Sequence, residues 1–153
     1  MLRMKTLTKS HGQENIRLAK LFYEAAGRGD MSHARKALAP NVEWIEPNIA
    51  GLWFSGTHRG ADAVWKEVFA PISQKIEKFR VKMRKFYAVG DSVIVIGHLY
   101  GKGKATGKEL DAATAHVWTF RNGKAVRFEA CHDTESWLEA LGLAHPEPQR
   151  MAA

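Results

Sequence analysis

The chain has 153 residues, one cysteine, 45% apolar and 25% charged residues, and a formal charge of +7. That length suits one domain with one core, and the lone Cys131 excludes an internal disulfide framework and a multi-cysteine zinc site. No apolar run approaches the roughly 20 residues of a bilayer span, and no apolar block follows the basic start, so the expectation is a cytoplasmic protein with no membrane partner.

Residues 1–13 lack periodicity and are expected to form a flexible N-terminus; 143–153, with Pro146 and Pro148, are expected to form a flexible tail. Between them, 14–142 reads as a single domain. Glu14 to Ala26 predicts a helix, with Leu18, Leu21, Phe22, Ala25 and Ala26 on one stripe. Asp30 or Ser32 caps a short second helix that Pro40 closes. Val42 to Glu46 predicts a strand whose period of two puts Val42, Trp44 and Glu46 on one face, and Pro47 stops it.

Residues 48–59 read as a loop carrying an exposed Leu52-Trp53-Phe54 cluster, and Ala61 to Ile72 as a third helix. Strands follow at Lys78 to Ala88, Ser92 to Tyr100, Ala112 to Arg121 and Lys124 to Cys131. Gly90-Asp91 and Asn122-Gly123 supply turns, and Gly101, Gly103 and Gly107 a basic loop. Ser92 to Tyr100 is apolar on both faces and should be central. Asp133 or Thr134 caps a last helix that Gly142 ends. Helices first and consecutive strands after them give an α+β fold, one sheet with helices on one face and the first strand at its edge.

Much of the positive charge sits between Lys75 and Lys85, where Arg80, Lys82 and Arg84 alternate with Phe79, Val81 and Met83. This is a strand with a solvated outer face. No nucleic-acid motif accompanies it, and the glycines at 101, 103 and 107 make no phosphate-binding pattern, so nucleic acid is not taken as a partner.

Taken in order, several stretches resemble the SnoaL-like, ketosteroid-isomerase-like branch of the nuclear transport factor two-like superfamily. They are Gly29-Asp30 after the first helix, Val42 to Pro47, Gly90 to Val93, His116 to Lys124, and Asp133-Thr134. The resemblance spans residues 14–142. It implies a cone-shaped, curved antiparallel sheet wrapped around N-terminal helices (a cystatin-like α+β barrel) with a ligand pocket at its open end. It also implies a homodimer through the outer sheet face; Ser92 to Tyr100 is apolar on both faces (Val93 and Val95; Ile94 and Ile96), so one face can line the core and the other needs cover such as a second subunit.

The resemblance places candidate site residues one by one. Glu46 before Pro47 stands where ketosteroid isomerases carry their general-base Asp, and a carboxylate beside an apolar wall suits proton abstraction next to a carbonyl. His116 takes the place of their oxyanion-binding acid. Phe22 takes the place of their Tyr, and Tyr23, about 100° further round the helix, is expected to point elsewhere. The SnoaL-type cyclases also carry a histidine matched by His116, but their acid/base Asp falls at Ala130, which moves no proton. The Asp-Arg-Asp network of limonene-epoxide hydrolases falls at Gly97, Leu99 and Ala130, which excludes that activity.

Period two puts His132 on the face of Phe128 and Ala130. The candidate catalytic residues are therefore Glu46, His116 and His132. The candidate ligand walls are Phe22, Trp44, Trp53, Phe54, Trp65, Trp118 and Phe128. No paired-histidine spacing suggests a metal, and no cofactor is expected. The reading is cofactor-free acid/base chemistry of isomerase, cyclase or dehydratase type on a small apolar carbonyl or hydroxyl compound. The alternatives are a non-catalytic protein binding a similar ligand, in which Glu46 is a hydrated strand-end residue, and an interaction module using the basic strand.

Overall fold

Residues alternating between apolar and polar along each strand can bury only one face, and that alternation sets the architecture. The computed structural model describes residues 2–145, with side chains from residue 11 onward. In chain order it holds α1 (Leu2–Gly27), α2 (Met31–Lys36), β1 (Leu38–Glu46), β2 (Gly56–Arg59), α3 (Ala61–Val64), a π-helical turn (Trp65–Phe69) and α4 (Ile72–Lys75). There follow β3 (Ile76–Val89), β4 (Ser92–Gly103), β5 (Glu109–Arg121), β6 (Lys124–His132) and α5 (Thr134–Leu141). Among the described residues no helix is long and apolar enough to cross a membrane.

One six-stranded sheet runs in the order β2-β1-β6-β5-β4-β3. Its inner face on β5 is Leu110, Ala112, Thr114, His116, Trp118 and Phe120, every second residue and all buried. β4 lies between β3 and β5, and presents Val93, Val95 and Leu99 inward. Its other face leaves Ile96 42% exposed, beside an exposed Tyr87 on β3. On β3 the basic residues Arg80, Lys82 and Arg84 face out while Phe79, Val81 and Met83 pack partly against the core. Register slips between Glu77 and Arg80 and between Met83 and Lys85 bend β3, and the second brings Phe86 rather than Lys85 inward.

Gly97 lets the bend close. A Cβ there would overlap the Lys82 carbonyl oxygen and lie 2.7 Å from Met83 Cα. Gly103 does the same for α5, since its Cβ would overlap the Ala140 carbonyl oxygen. Asp133 caps α5 through Ser136 N–H at 3.3 Å, and Gly142 at φ 69° ends it.

Several expectations are corrected. The first helix begins at Leu2, not Glu14, so the stretch expected to be a flexible N-terminus is helical from residue 2; helix-forming Leu, Met, Lys and Gln carry it without an apolar stripe. The tail from residue 146 onward lies outside the described residues. The buried line of α1 is Gly12, Asn15, Ala19, Phe22 and Ala25, which leaves Leu21 46% exposed. α2 stops at Lys36, and Pro40 lies within β1 instead of closing a helix.

The loop 48–59 contains β2, which pairs antiparallel with β1 and takes the sheet edge expected for β1. β1 therefore lies inside the sheet and pairs parallel with β6, the one parallel ladder among the described residues. Leu52 and Phe54 are buried, not exposed. The expected helix 61–72 is broken: the Ala70 N–H bonds back to the Trp65 carbonyl at 2.9 Å, a π turn, and Pro71 then separates it from α4. Gly101 and Gly103 lie in β4, so the basic loop is confined to residues 104–108.

Candidate functional site

Period two on β1, β5 and β6 points Glu46, Thr114, His116 and His132 at one interior region. Glu46 is 7% exposed and His116 6%, and the His132 side chain is 5% exposed. Buried polar groups of this kind must be paired, and two hydrogen-bonded chains do it.

The first chain starts at β1. Trp44 Nε1–H donates to Glu46 Oε1 at 2.7 Å, and Glu46 Oε2 lies 2.8 Å from His132 Nε2. A carboxylate only accepts, so His132 Nε2 carries the donated proton. His132 Nδ1 sits 2.7 Å from Thr114 Oγ1, and that hydroxyl also lies 3.3 Å from the Cys131 carbonyl. The threonine can give its proton to Nδ1, or accept one from Nδ1 and turn its own to the carbonyl. Either protonation state of His132 is thus satisfied without moving a heavy atom.

The second chain joins α1 to β5. Trp118 Nε1–H donates to the Tyr23 hydroxyl oxygen at 2.7 Å, and Tyr23 lies 2.7 Å from His116 Nδ1. An indole nitrogen only donates, so the phenol proton is directed to His116 Nδ1 and the imidazole proton is placed on Nε2. Burial holds the Tyr23 hydroxyl well above its ordinary pKa, which keeps it a donor; the bond from Trp118 opposes this more weakly. Burial, and then the neighbouring His132, push His116 well below the ordinary histidine value, so the ring is neutral near pH 7. His116 Nε2–H has no hydrogen-bond partner among the described residues.

The two chains meet where the His116 and His132 rings stand edge to face with centroids 5.8 Å apart. Phe128 packs on His116 at 4.7 Å and stacks on Trp44 at 3.6 Å. Phe54 and Trp137 close the His132 side.

The expectation that Tyr23 points elsewhere is corrected. Phe22 packs against Trp118 at 4.8 Å, and the longer Tyr23 beside it still reaches both His116 Nδ1 and Trp118 Nε1 at 2.7 Å. Thr114 and the indole N–H of Trp44 were also missed, although Thr114 precedes His116 by two on one strand face and Trp44 precedes Glu46 likewise. Of the expected aromatic walls, Phe22, Trp44, Phe54, Trp118 and Phe128 are core residues around these chains. Trp53 is part-buried and anchored through its Nε1–H to the Val68 carbonyl at 3.0 Å, and Trp65 stands apart at the surface end of α3.

An open groove of about 660 Å³ lies there, between α2, the start of β1 and α3. It narrows to an inner space of about 10 Å³ against Phe22, Ala34 and Phe69. Phe22 and Phe69 both touch Trp44, so this neck ends two side chains short of Glu46.

A family model described as a SnoaL-like domain matches residues 19–128. The chain belongs to the SnoaL-like family. It is also similar to an NTF2-like protein from Burkholderia thailandensis E264, at 31% identity and TM-score 0.77 over 86% of this chain and 98% of that one. An NTF2-like protein of unknown function from Burkholderia pseudomallei K96243 matches at 29% identity and TM-score 0.77, over 84% and 97% of the two chains. TerC, crystallised with polyporic acid, matches at 28% identity and TM-score 0.76, over 84% and 98%. No curated protein matches the chain.

The neutral His116 makes stability depend on pH. Its folded pKa lies below its unfolded value near 6.5, so the contribution is complete above about pH 6.5 and declines as pH falls toward the folded value. Urea unfolding at pH 7.5 and 5.5 should show a loss of up to about 1.4 kcal/mol per pH unit from this one group. His116→Gln should flatten that part of the profile; an unchanged slope would count against a buried neutral ring.

Proposed function

We propose that the protein is an enzyme doing cofactor-free proton transfer on a small, largely apolar compound with a carbonyl or hydroxyl group. The observation that supports this most is the pairing of a buried carboxylate, oriented on both oxygens, with a neutral imidazole whose Nε2–H is unpartnered among the described residues. Glu46 takes a proton from a carbon next to the carbonyl. The C–H electrons form a carbon–carbon double bond and the carbonyl electrons move onto oxygen. His116 Nε2–H donates to that oxyanion, as a preorganised donor in a dry site does best. Glu46 then returns the proton to another carbon, giving an isomer, or gives it to a β-hydroxyl as the enolate re-forms the carbonyl and expels that group as water, giving a dehydrated product. His132, Thr114 and Trp44 orient the carboxylate; Tyr23 and Trp118 fix the tautomer of His116.

TerC was crystallised with polyporic acid. An acidic aromatic hydroxy-carbonyl compound is therefore a reasonable first substrate class to try here. The second reading, a non-catalytic binding protein, is favoured by one observation: the inner neck leaves only about 10 Å³ before the aromatic core. A panel of β,γ-unsaturated ketones and β-hydroxy ketones, followed by absorbance and by exchange of deuterium at the α-carbon, separates the two. Turnover lost by at least about a hundredfold in Glu46→Gln and in His116→Ala is the expected result. Exchange that persists in Glu46→Gln would remove Glu46 from the chemistry.

A further inference from the structure

The lining of the groove is asymmetric. One side is apolar, with Met31, Leu38 and Trp65; the rim carries Arg35 and Lys36. Arg35 reaches across the mouth to Asp62 at the start of α3, an ion pair whose partners are 44% and 87% exposed. Asp62 is the one acidic residue on the lining, against two cations. The volume suits a molecule of a few rings, and the inner end is walled by Phe22 and Phe69. Phe69 closes the π turn, a helical distortion that can re-phase a side chain at small backbone cost.

We propose that this groove binds an aromatic anion, with the ring system on Met31, Leu38 and Trp65 and the anionic group on Arg35 in place of Asp62. The Arg35–Asp62 pair is the latch that the anion displaces. Where the ligand is also a substrate, the proposal rests on the proton-transfer reading for what happens beyond Phe22 and Phe69; the binding step itself does not depend on it.

The test uses two fluorescent probes that share one ring system, 1-anilinonaphthalene-8-sulfonate, an anion, and neutral N-phenyl-1-naphthylamine, titrated into the full-length protein. Arg35→Gln should weaken the sulfonate probe about tenfold and the neutral probe less than twofold, because a hydrogen bond to a charged group is worth about that ratio. Asp62→Asn should tighten the sulfonate probe about threefold by freeing Arg35, the scale of one exposed ion pair. Trp65→Ala should weaken both probes. Equal loss of both probes in Arg35→Gln, or weaker sulfonate binding in Asp62→Asn, would overturn the proposal. Glu46→Gln serves as the separating control. Sulfonate binding that still depends on Arg35 in that variant upholds the groove even if no substrate is turned over. Turnover without such binding upholds only the catalytic reading.

Discussion

Glu46→Ala should be among the most destabilising single substitutions in the protein, at about 3–5 kcal/mol. Two donors converge on this carboxylate, the Trp44 indole N–H at 2.7 Å and His132 Nε2 at 2.8 Å, in a site where Glu46 is 7% exposed. Each buried donor left without an acceptor costs about 1–3 kcal/mol. With both donors orphaned at once the losses sum to about 2–6 kcal/mol, which brackets the expected value. Glu46→Gln should cost less, because one amide oxygen still serves Trp44 or His132. The pair of variants, compared by urea unfolding at pH 7.5, separates loss of packing from loss of acceptors. An Ala variant within 1 kcal/mol of wild type would mean that water reaches both donors, and with it the dry-site argument for proton transfer would fail.

The second large effect is expected at Trp118, which is fully buried. Its ring meets Phe22 at 4.8 Å and Phe128 at 4.7 Å, and its Nε1–H holds the Tyr23 hydroxyl. Trp118→Ala should cost about 3–5 kcal/mol through the cavity alone. Trp118→Phe keeps most of the volume but removes the donor that directs the phenol proton to His116. The Tyr23 oxygen then loses the donor it accepts from while keeping His116, which should cost about 1–2 kcal/mol more than the change in size. It should also allow His116 to populate both tautomers, read from its two ring-nitrogen resonances. A single unchanged tautomer in Trp118→Phe would show that Tyr23 alone sets it.

These effects show which parts of the site the sequence reveals. Strand alternation is a local signal, and it correctly puts Glu46, His116 and His132 on inward faces, because one-face burial requires a period of two. The run of four strands from β3 to β6 was legible for the same reason, and the final helix was legible from Asp133 and Gly142 at its ends. Tyr23 was not legible. Its orientation depends on how α1 rolls against the sheet, where it packs on β3 and β4, a tertiary angle that a helical wheel does not contain. Asn15 and Ala19 face the core with Leu18 partly against it, while Leu21 stays exposed, and that roll sets Tyr23 against His116. β2 was hidden because four residues beginning at Gly56 carry too little pattern to be read as a strand. The π turn was hidden because the helical pieces on either side, Ala61–Val64 and Ile72–Lys75, are each too short to show the shift of the stripe.

The parallel ladder between β1 and β6 also has a kinetic consequence. It sets Trp44 beside Phe128 and brings Glu46 against His132, which is 86 positions further along the chain. Contacts at that separation close late, after the local hairpins β3–β4 and β5–β6 have formed, because the loop entropy must first be overcome. A chain emerging during synthesis would hold its carboxylate unmatched until almost all of the domain had been made. The acid/base pair is therefore also a record of complete folding: it exists only when the first and last strands have met.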